Sequence, residues 1–221
     1  MRKLILSFGV ATVLASCNNQ QATQAAEQAV VSTDTTGANY SVEAGTSLLE
    51  WKATKKGGSS HNGTVKISGG NLNIKEGNIV SGSFTVDMKT ITDLDLTDTG
   101  YNGKLVRHLS SADFFDVEKY PTGKFEITGA KMLNNDTAGN THMVSGNLTI
   151  KDSVKNISFP AKVTINGNDL SAEGEVVINR LQWGIVYNSV SASPAALLKK
   201  LGDNAINDEL TIRIRLKAKK G

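Results

Sequence analysis

The sequence predicts an all-β fold, in which about eight antiparallel strands close into a barrel with one or two short helices. Apolar and polar residues alternate in most segments between residues 40 and 219, so each strand has one dry face and one wet face. The chain contains 21 glycines but only 3 prolines, and glycines separate many of the alternating segments as turns. A closed barrel leaves no unpaired sheet edge, whereas a two-sheet sandwich of the same strands stays open as the alternative.

The first half of the domain begins with four alternating segments that we interpret as strands. They lie at residues 49–53, 65–67, 72–74 and 84–88, with glycine turns between them. Residues 90–120 break this alternation, and Leu105, His108 and Leu109 have the spacing of one face of a short helix. We therefore expect a long crossing connection with one or two helical turns between the two halves of the barrel.

The second half contains further alternating segments and one clear helix. The strands are expected at residues 125–127, 144–150, 157–165, 176–178, 183–185 and 210–218. Pro160 has no backbone N–H donor, so it predicts an edge or a bulge in its strand. Ser193 as N-cap, Pro194 in the first turn and Gly202 at the end predict a helix before the last strand.

The amino terminus has the pattern of a bacterial lipoprotein. Residues 1–16 combine a basic start at Arg2 and Lys3 with a short apolar stretch, which predicts a signal peptide too short to span a membrane. The run Leu-Ala-Ser-Cys at 14–17 resembles a lipobox, which implies cleavage before Cys17 and its acylation by fatty acids such as palmitate. Residues 17–39 are expected to form a polar tether, and residues 40–219 the barrel domain.

Charge and cysteine content limit the partners and the compartment. Arg2 and Lys3 are two of the 24 basic residues, so the rest of the chain has 22 basic against 21 acidic residues. This near balance gives no indication of a nucleic-acid partner. Cys17 is the only cysteine, which excludes a disulfide within one chain. Asn18 and Asn19 follow it, and the lack of an acidic residue there favours anchoring in the outer membrane of the cell envelope.

Residues 108–125 form a dense aromatic run in a chain with only 5% aromatic residues. The run contains Phe114, Phe115, Tyr120 and Phe125. Because inward apolar side chains usually pack on one another, filled core and pocket wall both remain open for this run. His108 is either a partly buried histidine or a hydrogen-bonding group for a ligand head group, with Asp87 or Arg180 in support.

Five motifs occur in order along the domain. They are GSFTVDM at 82–88, KLVRHL at 104–109, DFFDVEKYP at 113–121, GNLTI at 146–150, and NR at 179–180 with WG at 183–184. Together they resemble the YceI-like family of extracytoplasmic lipid-binding proteins over nearly all of residues 40–219. The resemblance implies a lipocalin-like antiparallel barrel that holds a long apolar molecule, such as a polyisoprenoid, an isoprenoid quinone or a fatty amide. The ligand-binding residues that we expect are Phe84, His108, Leu109, Phe114, Phe115, Arg180 and Trp183.

These observations favour a lipid-anchored protein that binds or carries an apolar lipid ligand. No nucleophile triad, phosphate loop or dinucleotide motif occurs in the sequence, and no two of His61, His108 and His142 have metal-ligand spacing. We therefore expect no enzyme activity, no metal and no cofactor other than a bound isoprenoid-type lipid. The alternatives are an enzyme acting on a lipid or isoprenoid, and a solvent-facing β domain for interaction or stress protection. Homodimer formation stays open.

Overall fold

The computed structural model describes residues 22–134 and 136–221, so the signal peptide and Cys17 lie outside the described residues. The strands in this part of the chain are β1 (Ala38–Val42), β2 (Leu48–Lys55), β3 (Ser60–Lys75), β4 (Asn78–Asp87), β5 (Thr122–Met132), β6 (His142–Ile150), β7 (Ser153–Asn166), β8 (Asp169–Asn179) and β9 (Ile206–Lys220). The helices are α1 (Thr99–Ser110) and α2 (Ala195–Leu201), with 3₁₀ turns at Met88–Thr90, Arg180–Trp183 and Gly202–Asn204. Within these described ranges, no helix is both long and apolar enough to cross a lipid bilayer.

The strands form a closed antiparallel barrel. From β3 to β9 each strand pairs with its neighbour in sequence, and β2 closes the ring by pairing with β3 on one side and β9 on the other. β1 pairs with the far ends of β3 and β9, so β1 and β2 lie end to end in one strand position. The barrel therefore has eight strand positions, which confirms the predicted fold class.

Alternation decides which side chains enter the barrel. In β9, Leu210, Ile214 and Leu216 are buried, whereas Arg213 is exposed on the outer surface. Arg213 Nη2 lies 2.7 Å from Glu175 Oε2 of the neighbouring strand β8. A half-exposed ion pair of this kind contributes little stability. The inward apolar side chains therefore supply most of the stability of the barrel.

Helix α1 and the turns at residues 111–121 form a cap over one end of the barrel. The Asp98 carboxylate accepts a hydrogen bond from the Tyr101 N–H at 2.9 Å and begins the helix. Leu109 near the end of α1 and Phe114 in the following turns are buried against the barrel core. The predicted crossing connection with helical turns is confirmed, and its helix extends over 12 residues.

Residues 22–37, which we name the strap, lie against the barrel wall, although residues 17–39 were expected to form a tether. Ala26 and Asn156 of β7 exchange two backbone hydrogen bonds, at 2.8 Å and 2.9 Å. The Thr23 N–H donates to the Val177 carbonyl of β8 at 2.6 Å. β7 and β8 pair only next to the hairpin that joins them, so the strap fills the space where they separate. Backbone groups make these contacts, and the polar composition of this segment therefore gave no sign of them.

Two local predictions need correction. Trp183 was expected in a strand, but it ends a 3₁₀ turn that Gly184 terminates in the left-handed region at φ 69°. Glycine adopts this conformation without steric cost, so the chain turns away from the sheet there. Helix α2 begins at Ala195, and its N-cap is Pro194 rather than Ser193.

The position of Pro160 in β7 agrees with its missing donor. Pro160 pairs with Met143 of β6, while the pairing of β7 with β8 begins only at Ala161. The strand is therefore free of β8 on one side at the proline, as expected for a residue that cannot donate to a sheet ladder.

Candidate functional site

The barrel encloses a cavity of about 120 Å³. All strands from β2 to β9 contribute to its wall, and nearly all of the lining side chains are apolar. One water molecule needs roughly 10–15 Å³, so the cavity is several times larger than a packing defect. Cavities lined by apolar groups stay dry because water finds no hydrogen-bond partners there. The space is therefore suited to an apolar guest.

The cap closes this cavity at one end. The cap and the 3₁₀ turn before it contribute Met88, Leu109, Phe114, Phe115 and Tyr120 to the lining. At the same end of the lining, Thr122 is exposed and Tyr120 and Lys151 are partly exposed, which marks the place where the cavity reaches the surface. A ligand with an apolar tail and a polar head would place its head group there.

Phe84, Phe125 and Phe159, which we name the septum, form a layer of contacting rings across the barrel. The Phe125 ring centroid lies 5.4 Å from that of Phe84 and 5.6 Å from that of Phe159. Gly146 makes room for this layer, since a Cβ atom there would lie 2.2 Å from Phe125 Cζ. A second cavity of about 40 Å³ is lined by the same three rings. The septum therefore separates an upper cavity from a smaller lower one.

The structure brings most of the predicted ligand-binding residues onto one wall. Phe84 from β4, Leu109 from α1, and Phe114 and Phe115 from the cap line the upper cavity together with Arg180. Phe114 is 8% exposed, so its ring is held in place by the barrel as well as by the cap. Contact of these side chains with a ligand stays a prediction.

His108 is not among the residues that line the cavity, so of its two interpretations the structure favours the partly buried histidine, and a contact with a ligand head group stays a prediction. Its Nε2 lies 3.0 Å from Asp113 Oδ2, and the ring is partly exposed. The ring packs edge-on against Phe114 at 5.0 Å and against Tyr187 at 4.7 Å, measured between centroids. His108 therefore contacts Phe114 on the side away from the cavity. The side of α1 that carries His108 does not line the cavity.

Trp183 also does not line the cavity. Its side chain is 1% exposed, and Nε1–H donates to the carbonyl of Leu148 at 3.0 Å. Leu148 itself lines the cavity, so Trp183 contacts the outer side of that lining. The 3₁₀ turn that contains Trp183 explains the difference from the expected strand position.

The guanidinium group of Arg180 donates hydrogen bonds to backbone carbonyl groups of the protein. Nη1 donates to the Ile185 carbonyl at 2.7 Å, Nε to the Asn207 carbonyl at 3.1 Å, and Nη2 to the Ile206 carbonyl at 3.2 Å. Nη2 also lies 3.6 Å from Asp208 Oδ1. Burial lowers the pKa of Arg180, and Asp208 opposes this effect. Arg180 therefore pairs with a buried carboxylate and with backbone carbonyl groups, and its contact with a ligand head group stays a prediction.

Several wall residues were not among the predicted site residues. They include Trp51, Met88, Phe125 and Phe159. Strand alternation places Trp51, Phe125 and Phe159 on the inward face, but it does not distinguish a position beside open space from one in the filled core. That distinction depends on how the strands are staggered around the barrel.

One further group of side chains has the donor atoms for a metal ion. The atoms of His61, Asp93 and Asp95 that could act as ligands lie within 4.8 Å of one another. The group lies at the edge of the barrel beside the segment that leads into α1.

A family model described as the YceI-like domain matches residues 40–218. The chain belongs to the YceI-like family. The UPF0312 protein of Pseudomonas putida is 32% identical over 120 residues, which cover 54% of this YceI-like chain and 57% of that protein. The UPF0312 protein of Pseudomonas aeruginosa is 34% identical over 130 residues, which cover 52% and 65% of the two chains. The matches thus span about three-fifths of the length of these curated relatives.

Solved structures share the YceI-like barrel at low sequence identity. BcnA of Burkholderia cenocepacia has a TM-score of 0.54 at 22% identity and covers 76% of this chain and 95% of its own. A polyisoprenoid-binding domain from Saccharophagus degradans, implicated in plant cell wall breakdown, has a TM-score of 0.57 at 11% identity, over 82% and 98% of the two chains. At these identities the likeness shows the fold.

Proposed function

We propose that this YceI-like protein binds or carries a long apolar molecule inside its barrel, of the polyisoprenoid, isoprenoid quinone or fatty amide class. The observation that supports the proposal is the cavity of about 120 Å³ with its apolar lining. The barrel it shares with a domain described as polyisoprenoid-binding supports the same class of ligand.

The apolar lining accounts for affinity without specific contacts. Each CH₂ group moved from water into an apolar environment contributes about 0.8 kcal/mol. Ten such groups contribute roughly 8 kcal/mol before entropy losses, which corresponds to a dissociation constant near micromolar. Lys151 belongs to the lining and is partly exposed, so its ammonium group is available to a polar head group, whereas Lys124 Nζ donates to Glu126 Oε1 at 2.7 Å.

A binding protein accounts for the polar residues better than an enzyme does. The three polar residues expected around a ligand head group, Asp87, His108 and Arg180, are engaged in separate contacts. Asp87 Oδ1 accepts a hydrogen bond from the Lys89 N–H at 3.0 Å and caps the 3₁₀ turn. His108 pairs with Asp113, and Arg180 binds backbone carbonyl groups. Their partners leave no shared acid–base pair for chemistry on a ligand.

Extraction of the purified protein tests the binding proposal. The full-length protein is purified in mild detergent, extracted with organic solvent and examined by mass spectrometry. We expect one apolar lipid per barrel, or uptake of an added isoprenoid when the purified barrel is empty. A protein that yields no lipid and takes up none would contradict the proposal.

We also propose that the mature chain is anchored by acylated Cys17 in the outer membrane of the cell envelope. The first strap contact with the barrel is at Thr23, and six residues of extended chain from Cys17 reach at most about 22 Å. With the strap docked on the barrel, the cavity would stay close to the bilayer surface. An apolar ligand would then cross only a short distance of water between membrane and barrel.

Metabolic labelling with palmitate tests the anchor. We expect the wild-type protein to incorporate label and to fractionate with outer membranes. The Cys17→Ala variant should take up no label and remain in the soluble fraction. Equal labelling of both proteins would contradict this part of the proposal while leaving ligand binding untouched.

A further inference from the structure

A second polar group lies beside the cap, apart from the cavity wall. His61 lies near the start of β3, and Asp93 and Asp95 lie between the 3₁₀ turn at Met88–Thr90 and α1. His61 Nδ1 is 2.9 Å from Asp95 Oδ2 and 4.0 Å from Asp93 Oδ2. The group therefore combines one imidazole nitrogen with oxygens of two carboxylates.

One oxygen of this group is buried without a hydrogen-bond donor. The side chain of Asp93 is 0% exposed. Its Oδ1 accepts hydrogen bonds from the Leu96 N–H at 2.9 Å and from Asn102 Nδ2–H at 3.2 Å. Its Oδ2 has no hydrogen-bond partner among the described residues. Buried carboxylate oxygens in proteins are nearly always paired, since desolvation is costly, so Asp93 Oδ2 needs a cation or a proton.

The backbone holds these side chains in position. The Thr92 N–H donates to the Thr64 carbonyl of β3 at 2.9 Å. Gly63 permits this close approach, because a Cβ atom there would lie 1.8 Å from the Thr92 carbonyl oxygen. Asp95 Oδ1 accepts a hydrogen bond from the Asn62 N–H at 2.7 Å, which leaves its Oδ2 directed to His61. The arrangement is thus formed by the fold before any ion binds.

We propose that His61 Nδ1, Asp93 Oδ2 and Asp95 Oδ2 bind a divalent transition metal ion, with Zn²⁺ as the best match. Zinc accepts imidazole and carboxylate ligands at bond lengths of about 2.0–2.2 Å. Tetrahedral ligands at that distance are roughly 3.4 Å apart, and the observed separations of 2.9 Å and 4.0 Å lie on either side of this value. Calcium and magnesium prefer sites built from oxygen alone, so the imidazole favours a transition metal.

Solvent access completes the coordination. The side chains of His61 and Asp95 are 28% and 27% exposed, so water molecules reach the remaining positions around the ion. A metal with three protein ligands and an open position is stable in this form. The two carboxylates also offset the charge of the ion, and the ion supplies the missing partner of Asp93 Oδ2.

Metal binding at this place would join β3 to the segment that leads into the cap. Trp51, which lines the cavity, donates from Nε1 to the Thr92 carbonyl at 3.1 Å. The ion would therefore hold the cap beside Trp51, and it would raise the thermal midpoint because it binds the folded state. This inference does not depend on the ligand proposed for the cavity.

The test uses the full-length mature protein, without a histidine tag and treated with chelator, titrated with Zn²⁺ in a calorimeter. We expect one equivalent to bind and the thermal midpoint to rise. His61→Gln and Asp93→Asn should each weaken Zn²⁺ binding by more than about tenfold. Even the loss of a residue that only orients a metal ligand lowers metal affinity by about 10–100-fold. His61 is partly exposed, so His61→Gln should fold normally. It therefore tests the site even when the buried substitution Asp93→Asn prevents folding.

Asp113→Asn is the matched control. It removes the carboxylate that pairs with His108, whose Nε2 lies 3.0 Å from Asp113 Oδ2 with no third ligand among the residues that the structure describes. This variant should bind Zn²⁺ as tightly as the wild type. Co²⁺ should bind with the visible absorption of a nitrogen–oxygen site, and His61→Gln should lose it. Zn²⁺ binding that is absent in the wild type, or equal in wild type and both site variants, would overturn the proposal and leave a proton on Asp93.

Discussion

Replacement of Phe125 by alanine should join the two cavities of the barrel. Phe125 is 2% exposed and is the central ring of the septum, in contact with Phe84 on one side and Phe159 on the other. Its ring lies between the cavity of about 120 Å³ and the one of about 40 Å³. We therefore expect Phe125→Ala to accept longer apolar ligands than the wild type accepts.

The substitution has two opposing effects. Loss of a buried phenylalanine lowers the free energy of unfolding by about 3–5 kcal/mol, which lowers the melting temperature of a domain of this size by roughly 6–20 °C. Each further CH₂ group that a ligand buries contributes about 0.8 kcal/mol, or about fourfold in Kd. A ligand with four more buried groups would therefore bind roughly 200-fold more tightly.

Displacement of a fluorescent lipid probe by fatty amides of increasing length measures this effect. Affinity for the wild type should rise with chain length and level off once the upper cavity is full. The plateau for Phe125→Ala should begin at a longer chain. Phe115→Ala is the control, because Phe115 lines the upper cavity but not the septum, and it should weaken binding without moving the plateau. A plateau at the same chain length in wild type and Phe125→Ala would refute the role of the septum.

Three further outcomes concern stability. Burial lowers the pKa of His142 from its ordinary value of 6.5, so the unfolded chain binds the proton first and the folded state loses stability as the pH falls below about 6.5. Urea unfolding at pH 7.5 and 5.0 should show this loss in the wild type and a smaller loss in His142→Leu; parallel losses would contradict it. Asn147→Ala removes two hydrogen bonds between a buried amide and Ala29 of the strap. The free energy of unfolding should fall by about 1–3 kcal/mol, and limited proteolysis should cut the strap sooner, whereas an unchanged cleavage rate would argue against a docked strap. Arg180→Met leaves Asp208 buried without its cation and should lower the free energy of unfolding by about 3–5 kcal/mol in urea; a loss below 1 kcal/mol would count against a structural role.

The fold was predictable because its signal is local. In β9, Leu210, Ile214 and Leu216 alternate with charged residues, and this period of two specifies both the strand and its inward face. The dry face of every such strand predicts an antiparallel barrel or sandwich, and the motifs that resemble the YceI-like family favour the barrel. The strap was not predictable in this way, since its backbone groups bind β7 and β8 while its side chains show no periodicity.

The candidate site was predictable only in part. Phe84, Leu109 and Phe114 lie on the cavity wall, while their contact with a ligand stays a prediction. His108 and Trp183 belong to the same motifs but lie behind the wall. A motif places a residue in an element, whereas the rotation of α1 and the 3₁₀ turn at Arg180–Trp183 decide what its side chain contacts.

The sequence by itself determined the strands and, through the resemblance of its motifs, the family and the barrel that this family implies, because hydrophobic alternation and short motifs act over a few neighbouring residues. Only the tertiary structure decided where the barrel is open and where it is filled, since that depends on Phe84, Phe125 and Phe159 meeting from three different strands. It alone also placed His61 beside Asp93 and Asp95, which follow it by 32 and 34 positions in the chain. Contacts between residues so far apart arise from the closure of the barrel and the path of the segment before α1, which no local pattern encodes.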